Sequence, residues 1–129
     1  MKRDMDLIRA LLLRIEEHDI VVYISDLKGA PSLQDFEDDV LIYHLDLMEE
    51  AGLINGKRTS GLSTVGPWIV QRLTWEGHEF LDTVRDPDIW KKTKNGASKA
   101  GSWSIGILKD IGTAYAKQKA QELLGISLA

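Results

Sequence analysis

The chain contains no cysteine, and this absence narrows how its fold can be stabilised. Disulfides and thiolate zinc sites both need cysteine, so disulfide-stapled folds and zinc fingers are excluded. Stability must come from a buried apolar core, and 129 residues with 43% hydrophobic residues are enough for one small domain. A metal would have to rest on histidines and carboxylates alone. We therefore predict a small domain with an appended element, no metal and no cofactor.

Charge is distributed unevenly along the chain. Residues 1–86 carry nine Lys or Arg and 17 Asp or Glu, whereas residues 87–129 carry seven lysines and three acidic residues. The net charge of −4 argues against wholesale coating of nucleic acid but permits local phosphate contacts. Asp4 and Asp6 interrupt any signal-peptide core, and no apolar run reaches the length of a membrane span. We therefore predict a cytoplasmic protein without membrane contact.

Hydrophobic spacing predicts helix, strand and helix in the first half of the chain. Met5–Ile15 has apolar residues at helical spacing, with Asp4 as its cap. The β-branched and aromatic run Ile20–Ile24 is typical of a strand. A second helix begins somewhere within residues 32–37, and Gly52 is expected to end it in a left-handed conformation.

The second half predicts a hairpin and further helices. Residues 53–58 and Trp68–Leu73 read as two strands joined by a flexible loop. Thr74 should cap a short helix, and Asp86 followed by proline predicts a further turn or two. Helical spacing returns from Ser102 to about Leu124. This order of elements resembles a winged-helix domain over residues 1–90, and it is followed by a predicted basic linker at residues 91–101 and a C-terminal helix at residues 102–125.

Three separated motifs carry a family resemblance. The segment Met1–Arg9, the run Tyr43–Ile54 and the segment Leu73–Asp86 together resemble a bacterial and phage family known as domain of unknown function 2513, over roughly residues 1–94. The Tyr43–Ile54 run is also similar to the end of a recognition helix in winged-helix regulators. The resemblance implies a winged-helix-like body of helix, strand, helix, β-hairpin wing and helix. With the C-terminal helix predicted from spacing appended to it, the fold class is α+β. The resemblance also implies a small, prophage-associated intracellular protein, and it brings no catalytic residues.

DNA binding is one function that this resemblance suggests. A reading helix needs a supporting helix and phosphate-binding cations, but the supporting helix here is shortened or missing and the second helix is acidic. Basic residues of the wing, the returning strand and the linker could contact a DNA backbone instead, or could be ordinary solvated surface residues. These nucleic-acid-binding candidates are Lys57, Arg58, Arg72, Lys91, Lys92 and Lys94.

Protein binding is the preferred function. The outward side of the second helix is almost wholly acidic, and the chain has no Lys or Arg between Lys28 and Lys57. This acidic surface is either the solvated side of the helix or a surface that docks a basic partner or imitates a phosphate row. Trp68, at the end of the loop, joins it as a contact candidate because tryptophan is enriched at binding hot spots. The acidic candidates are Asp35, Asp38, Asp39, Asp46, Glu49 and Glu50.

The three histidines do not predict an enzyme. His18, His44 and His78 lie at no metal-ligand spacing such as His-Glu-x-x-His. His44 lies on the apolar stripe of the second helix, which is typical of a hydrogen-bonded core histidine. His78 lies beside Glu79, but no nucleophile or phosphate loop accompanies it. We therefore predict a non-enzymatic protein.

The remaining tryptophans and the C-terminal helix bear on self-association. Trp75 and Trp90 flank predicted core helices and are expected to be packed. The C-terminal helix either packs on its own domain or pairs with a second copy, with Gly106 and Gly112 permitting close approach. We expect a homodimer through this helix. The oligomerisation candidates are Trp103, Ile107, Ile111 and Tyr115.

Overall fold

The computed structural model describes residues 1–59 and 67–128 of the chain. These ranges hold six helices and a three-stranded antiparallel sheet, which confirms the predicted α+β class. Contacts divide the chain into two compact units, Met1–His78 and Glu79–Ala129. In chain order the elements are α1 (Met5–Glu16), β1 (Val22–Tyr23), α2 (Ile24–Leu27), α3 (Asp38–Glu50), β2 (Ile54–Arg58), β3 (Trp68–Leu73), α4 (Trp75–Val84), α5 (Pro87–Ala100) and α6 (Ile105–Leu124).

The core of the first unit is built from α1, α3 and the sheet. Asp4 caps α1, since its carboxylate accepts a hydrogen bond from the Leu7 N–H at 3.2 Å, as the sequence predicts. The apolar side chains of both helices are buried at helical spacing, and Val70 of β3 is also fully buried. These buried helical residues are Met5, Leu7, Ile8, Leu11, Leu12 and Ile15 of α1, and Leu41, Leu45 and Met48 of α3.

The strand predicted over Ile20–Ile24 is wrong in most of its length. Only Val22 and Tyr23 pair in the sheet, and Ile24–Leu27 forms the helical turn α2. The reason is local, because the Asp26 carboxylate accepts the Tyr23 N–H at 2.8 Å and thereby stabilises a helix start. Ile20 is left 75% exposed. A four-residue helix therefore follows the two-residue strand in this segment.

Helix α3 leads directly into the hairpin. It begins at Asp38 and ends at Glu50, with Ala51 as its C-cap, after which Gly52 adopts a φ of +74°. The Leu53 N–H then donates to the Met48 carbonyl at 2.9 Å, which is a Schellman closure. Strands β2 and β3 pair antiparallel, and β3 lies between β1 and β2 in the sheet. The predicted glycine stop and hairpin strands are confirmed, whereas the loop residues 60–66 lie outside the described residues.

The predicted linker at residues 91–101 is wrong, because α5 runs through it to Ala100. Asp86 caps α5 by accepting the N–H groups of Asp88 and Ile89, as predicted, but the helix continues for 14 residues. Trp90, Thr93 and Ala97 are buried at spacings of three and four residues, and small and basic residues lie between them. This segment is therefore an amphipathic helix. Gly101, with a φ of +73°, ends it.

Helix α6 packs along α5 in the second unit. Leu108 and Gly112 of α6 are buried, and a Cβ added at Gly112 would lie 2.8 Å from Thr83 Cγ2. The close approach expected at Gly112 therefore occurs within the chain, whereas Gly106 has open space around it. Ser104 caps α6 through the Ile107 N–H. No helix in the described ranges is long and apolar enough to span a membrane.

An ion pair between Asp86 and Lys119 ties the start of α5 to α6 and predicts an acid-sensitive contact. Lys119 Nζ lies 2.6 Å from the Asp86 carboxylate. The hydrogen bond from Lys119 lowers the pKa of Asp86 below 3.8, and Asp86 in turn raises the pKa of Lys119 above 10.5. The pair therefore contributes stability above pH 3.8 that is lost as the pH falls through the lowered Asp86 pKa. It also contributes below pH 10.5, and this is lost as the pH rises through the raised Lys119 pKa.

Asp86→Ser tests this contribution, because serine retains an oxygen that can cap α5 but cannot pair with Lys119. We expect a lower denaturation midpoint than wild type at neutral pH, with the difference shrinking below pH 3.8. Urea denaturation followed by circular dichroism across this pH range measures the difference. Asp110→Ser, an exposed aspartate of α6, is the control and should leave the acid limb of the profile unchanged.

Candidate interaction surface

The predicted acidic residues lie on α3 and in the turn before it. Asp35 precedes the helix, and Asp38, Asp39, Glu49 and Glu50 are exposed along it. Lys28 Nζ contacts Asp38 at 2.8 Å, and this hydrogen bond raises the pKa of Lys28. We call Asp35, Asp39, Glu49 and Glu50 the acidic face, since these four carboxylates form no ion pair within the described residues.

Asp46, like Asp38, is an ion-paired acidic candidate, but it is half-buried and both of its carboxylate oxygens have partners. Its Oδ1 accepts a hydrogen bond from Trp68 Nε1 at 2.8 Å, and its Oδ2 pairs with the Arg58 guanidinium. Arg58 and Trp68 are partners in the register of β2 and β3. Asp46 therefore ties both strands of the hairpin to α3, instead of standing free for a partner.

Tyr43 is a residue of this surface that the sequence reasoning missed. It is half-buried on α3, four residues after Asp39 and seven before Glu50, so helical geometry places all three on one side. Its ring meets the His44 ring edge-on, with centroids 5.4 Å apart. The sequence contains a signal for this position, since Tyr43 follows Asp39 by four residues and residues at this spacing share one side of a helix.

His44 is a buried core histidine, as predicted. Its Nε2 accepts the Asp4 N–H at 2.9 Å, and its Nδ1 lies 2.8 Å from the Val40 carbonyl. These partners require the neutral ring with its proton on Nδ1. His44 therefore links α3 to the start of α1, and this contact positions the two helices against each other.

The other two histidines contact a backbone carbonyl and a carboxylate, respectively. His18 Nδ1 lies 3.0 Å from the Arg14 carbonyl, and His78 Nδ1 lies 3.7 Å from Glu16. Within the described ranges, no group of three His, Asp or Glu side chains is placed to hold a metal ion.

The basic candidates of the hairpin differ in whether they are ion-paired. Lys57 and Arg72 are exposed, and Arg72 makes a long contact of 3.4 Å to the Leu73 carbonyl. Arg58 is 57% exposed but is held by Asp46. All three residues are equivalent as cations in the sequence, whereas the structure distinguishes the ion-paired Arg58 from Lys57 and Arg72.

The lysines predicted in a linker lie on α5 in the second unit. Lys91 is exposed, and Lys92 Nζ lies 3.4 Å from Asp88 and 5.9 Å from the Tyr115 ring centroid. Lys94 Nζ lies 5.7 Å from the Trp90 ring centroid. These lysines therefore extend from a helical backbone and not from a flexible linker.

Two of the tryptophan predictions are wrong. Trp68 was a contact candidate, but it is completely buried because its indole fills the space between the hairpin and α3. Trp75 was expected to be packed, yet it is 75% exposed at the first residue of α4. Trp90 is buried as predicted. One-dimensional spacing placed Trp75 near the core but could not show which way the first turn of α4 faces.

The oligomerisation candidates are partly used within the second unit. A Cβ added at Gly96 of α5 would lie 3.0 Å from Ile111 Cγ2, so Ile111 packs on its own chain. Tyr115 is half-buried beside Lys92, and Trp103 is 38% exposed. The more exposed apolar side chains lie at the end of the chain and were missed, namely Leu123, Leu124 and Ile126.

Comparison with known proteins places this α+β chain in a family. The family described as "Hypothetical protein (DUF2513)" matches residues 2–103, and the chain belongs to it. The chain is also 32% identical over 122 residues to an "Uncharacterized protein" of Haemophilus influenzae, covering 92% of this chain and 98% of that protein. The comparison with solved structures found no match. The resemblance seen in the three sequence motifs is therefore confirmed.

Proposed function

We propose that this protein is a non-enzymatic interaction protein, of the phage-associated kind that the family resemblance implies, acting in the cytoplasm. The acidic face of α3 would bind a basic surface of another protein. One observation carries the proposal: four carboxylates along and just before one helix are exposed without an ion pair in the described part of the chain. The negative charge of the acidic face would attract a basic partner and repel the phosphates of nucleic acid.

The first unit supports a winged-helix-like form for this body. The order α1, β1, α2, α3, β2 and β3, with β3 between β1 and β2, is compatible with three helices and a hairpin wing. In that arrangement α3 would occupy the place of a recognition helix. Because α3 exposes carboxylates, a basic protein surface matches this helix better than nucleic acid does.

A DNA-binding regulator is the second candidate function. Lys57 and Arg72 favour it, since both are exposed on the hairpin strands. Binding of a labelled duplex at physiological ionic strength, with a steep salt dependence lost on replacement of Lys57 and Arg72 by alanine, would support the DNA function. That result would overturn the preferred one.

Reversing the acidic face tests the preferred function. The triple variant Asp39→Lys, Glu49→Lys and Glu50→Lys should lose any partner that depends on this face, because like charges would then oppose a basic surface. Tagged protein would be used to capture partners from nuclease-treated host lysate, with identification by mass spectrometry. The expected partner has a basic surface patch and elutes at raised salt.

The matched control reverses exposed acidic residues of the second unit, with Glu79→Lys, Asp110→Lys and Glu122→Lys. It changes the net charge equally, so it separates a local surface from a general charge effect. The proposal predicts that this control keeps the partner that the α3 variant loses. Equal capture by both triple variants would contradict it.

We also propose a homodimer formed through α6. The exposed apolar residues near its end support this proposal, since Leu123 is 75% and Leu124 is 65% exposed. Sedimentation of the full chain at micromolar concentration should yield twice the chain mass, and Leu123→Glu with Leu124→Glu should yield the chain mass. A monomeric mass for wild type would rule the dimer out.

A further inference from the structure

The hairpin arginine and the hairpin tryptophan share one carboxylate. Arg58 and Trp68 face each other across β2 and β3, and both donate to Asp46 on α3. Trp68 is completely buried, so its indole N–H needs an acceptor inside the protein. Asp46 Oδ1 provides that acceptor, and this bond turns Oδ2 toward Arg58.

In this arrangement Asp46 engages Arg58, a cation whose donors are also suited to binding a phosphate. Arg58 is on the hairpin strand beside exposed Lys57, and its side chain is 57% exposed. A guanidinium binds a carboxylate and a phosphate through the same donors, so the two compete for it. Asp46 also adds a negative charge at the place where a phosphate would approach.

We infer that Asp46 is a specificity-determining residue that keeps Arg58 from nucleic-acid phosphates. Because the buried indole fixes the carboxylate, the competitor for Arg58 is preorganised and does not depend on two mobile surface side chains. The duplex backbone would have to displace Asp46 before it could bind Arg58. The inference concerns nucleic acid and is independent of the identity of any protein partner.

Asp46→Asn is the direct test. Asparagine retains an oxygen that can accept the Trp68 N–H, but it removes the charge that pairs with Arg58. Fluorescence anisotropy with a short labelled duplex at low salt would measure binding. We expect the variant to bind about tenfold more tightly than wild type, with the slope of log K against log salt steeper by about one phosphate contact.

Two controls separate release of Arg58 from a simple change of charge. Asp39→Asn removes the same charge from α3 without releasing an arginine, so its gain should be clearly smaller. Adding Arg58→Gln to Asp46→Asn should return binding to the wild-type level, because the double variant has the wild-type net charge and no released arginine. Equal binding by Asp46→Asn and Asp39→Asn, a gain that survives Arg58→Gln, or no binding by Asp46→Asn at the lowest salt would each overturn the inference.

A measurement on an otherwise wild-type chain keeps the test decisive even if Asp46→Asn fails to fold. Both Arg58→Gln and Lys57→Gln remove one positive charge, but because Arg58 is held by Asp46, Arg58→Gln should weaken duplex binding clearly less than Lys57→Gln does. If Arg58→Gln weakens binding as much as Lys57→Gln, Arg58 already contacts phosphate and the inference fails. Circular dichroism of every variant confirms that the fold is retained.

Discussion

Replacing Gly77 with alanine is expected to lower the free energy of unfolding by about 3 kcal/mol, through overpacking. A Cβ at this position would lie 2.0 Å from the Leu53 carbonyl oxygen, a backbone atom that cannot move like a side chain. The same carbonyl accepts the Thr74 N–H at 2.9 Å, so the first turn of α4 is held against the chain that joins α3 to β2. Moving this turn away would break that bond.

Urea denaturation followed by circular dichroism and tryptophan fluorescence measures this loss. Gly106→Ala is the matched control, because a Cβ there meets nothing within 4 Å. Alanine should stabilise α6 by up to about 1 kcal/mol relative to glycine. A Gly77→Ala protein as stable as wild type would show that α4 does not approach Leu53 as closely as described.

Truncating Trp68 to alanine is expected to have a comparable or larger effect, about 3 to 5 kcal/mol. The side chain is completely buried, and its loss would leave a cavity between the hairpin and α3. The Asp46 carboxylate would also lose its donor at 2.8 Å, which would loosen the position of Arg58. Thermal and urea denaturation would both report the change.

Trp68→Phe separates the packing contribution from the hydrogen bond. Phenylalanine fills most of the space but has no N–H, so the expected loss is smaller, about 1 to 2 kcal/mol. If the alanine and phenylalanine variants were equally unstable, the hydrogen bond to Asp46 would outweigh the packing. If neither lost stability, the indole would not lie in the core.

The parts of the fold that the sequence predicts well depend on local interactions. Asp4, Thr74 and Asp86 were predicted as caps, and the structure shows each accepting a nearby N–H group. Gly52 was predicted as a left-handed stop and has a φ of +74°. These features involve atoms only a few residues apart, so residue type and spacing are enough to define them.

Long-range packing explains the errors. Residues 91–100 have the composition of a linker, but they form a helix because Trp90, Thr93 and Ala97 lie on one side and are buried. Composition averages over positions and misses that spacing. Likewise, burial of Trp68 and exposure of Trp75 depend on the packing of distant elements.

The candidate site divides in the same way. That α3 is acidic on its outer side follows from helical spacing alone, and Asp39, Glu49 and Glu50 are exposed there. The pairing of Asp46 with Arg58 and Trp68 joins residues 12 and 22 positions apart, through a register set by the hairpin. No residue pattern along the chain identifies which of the acidic side chains is engaged.

By itself, the sequence determined the α+β class, the caps, the glycine stop, the family and the uneven distribution of charge. Only the tertiary structure decided which carboxylates are free, which arginine is held and which tryptophan is buried. The physical reason is range: caps and helical faces depend on neighbours within about a turn of helix. Ion pairing and burial depend on which distant surfaces meet when the core closes.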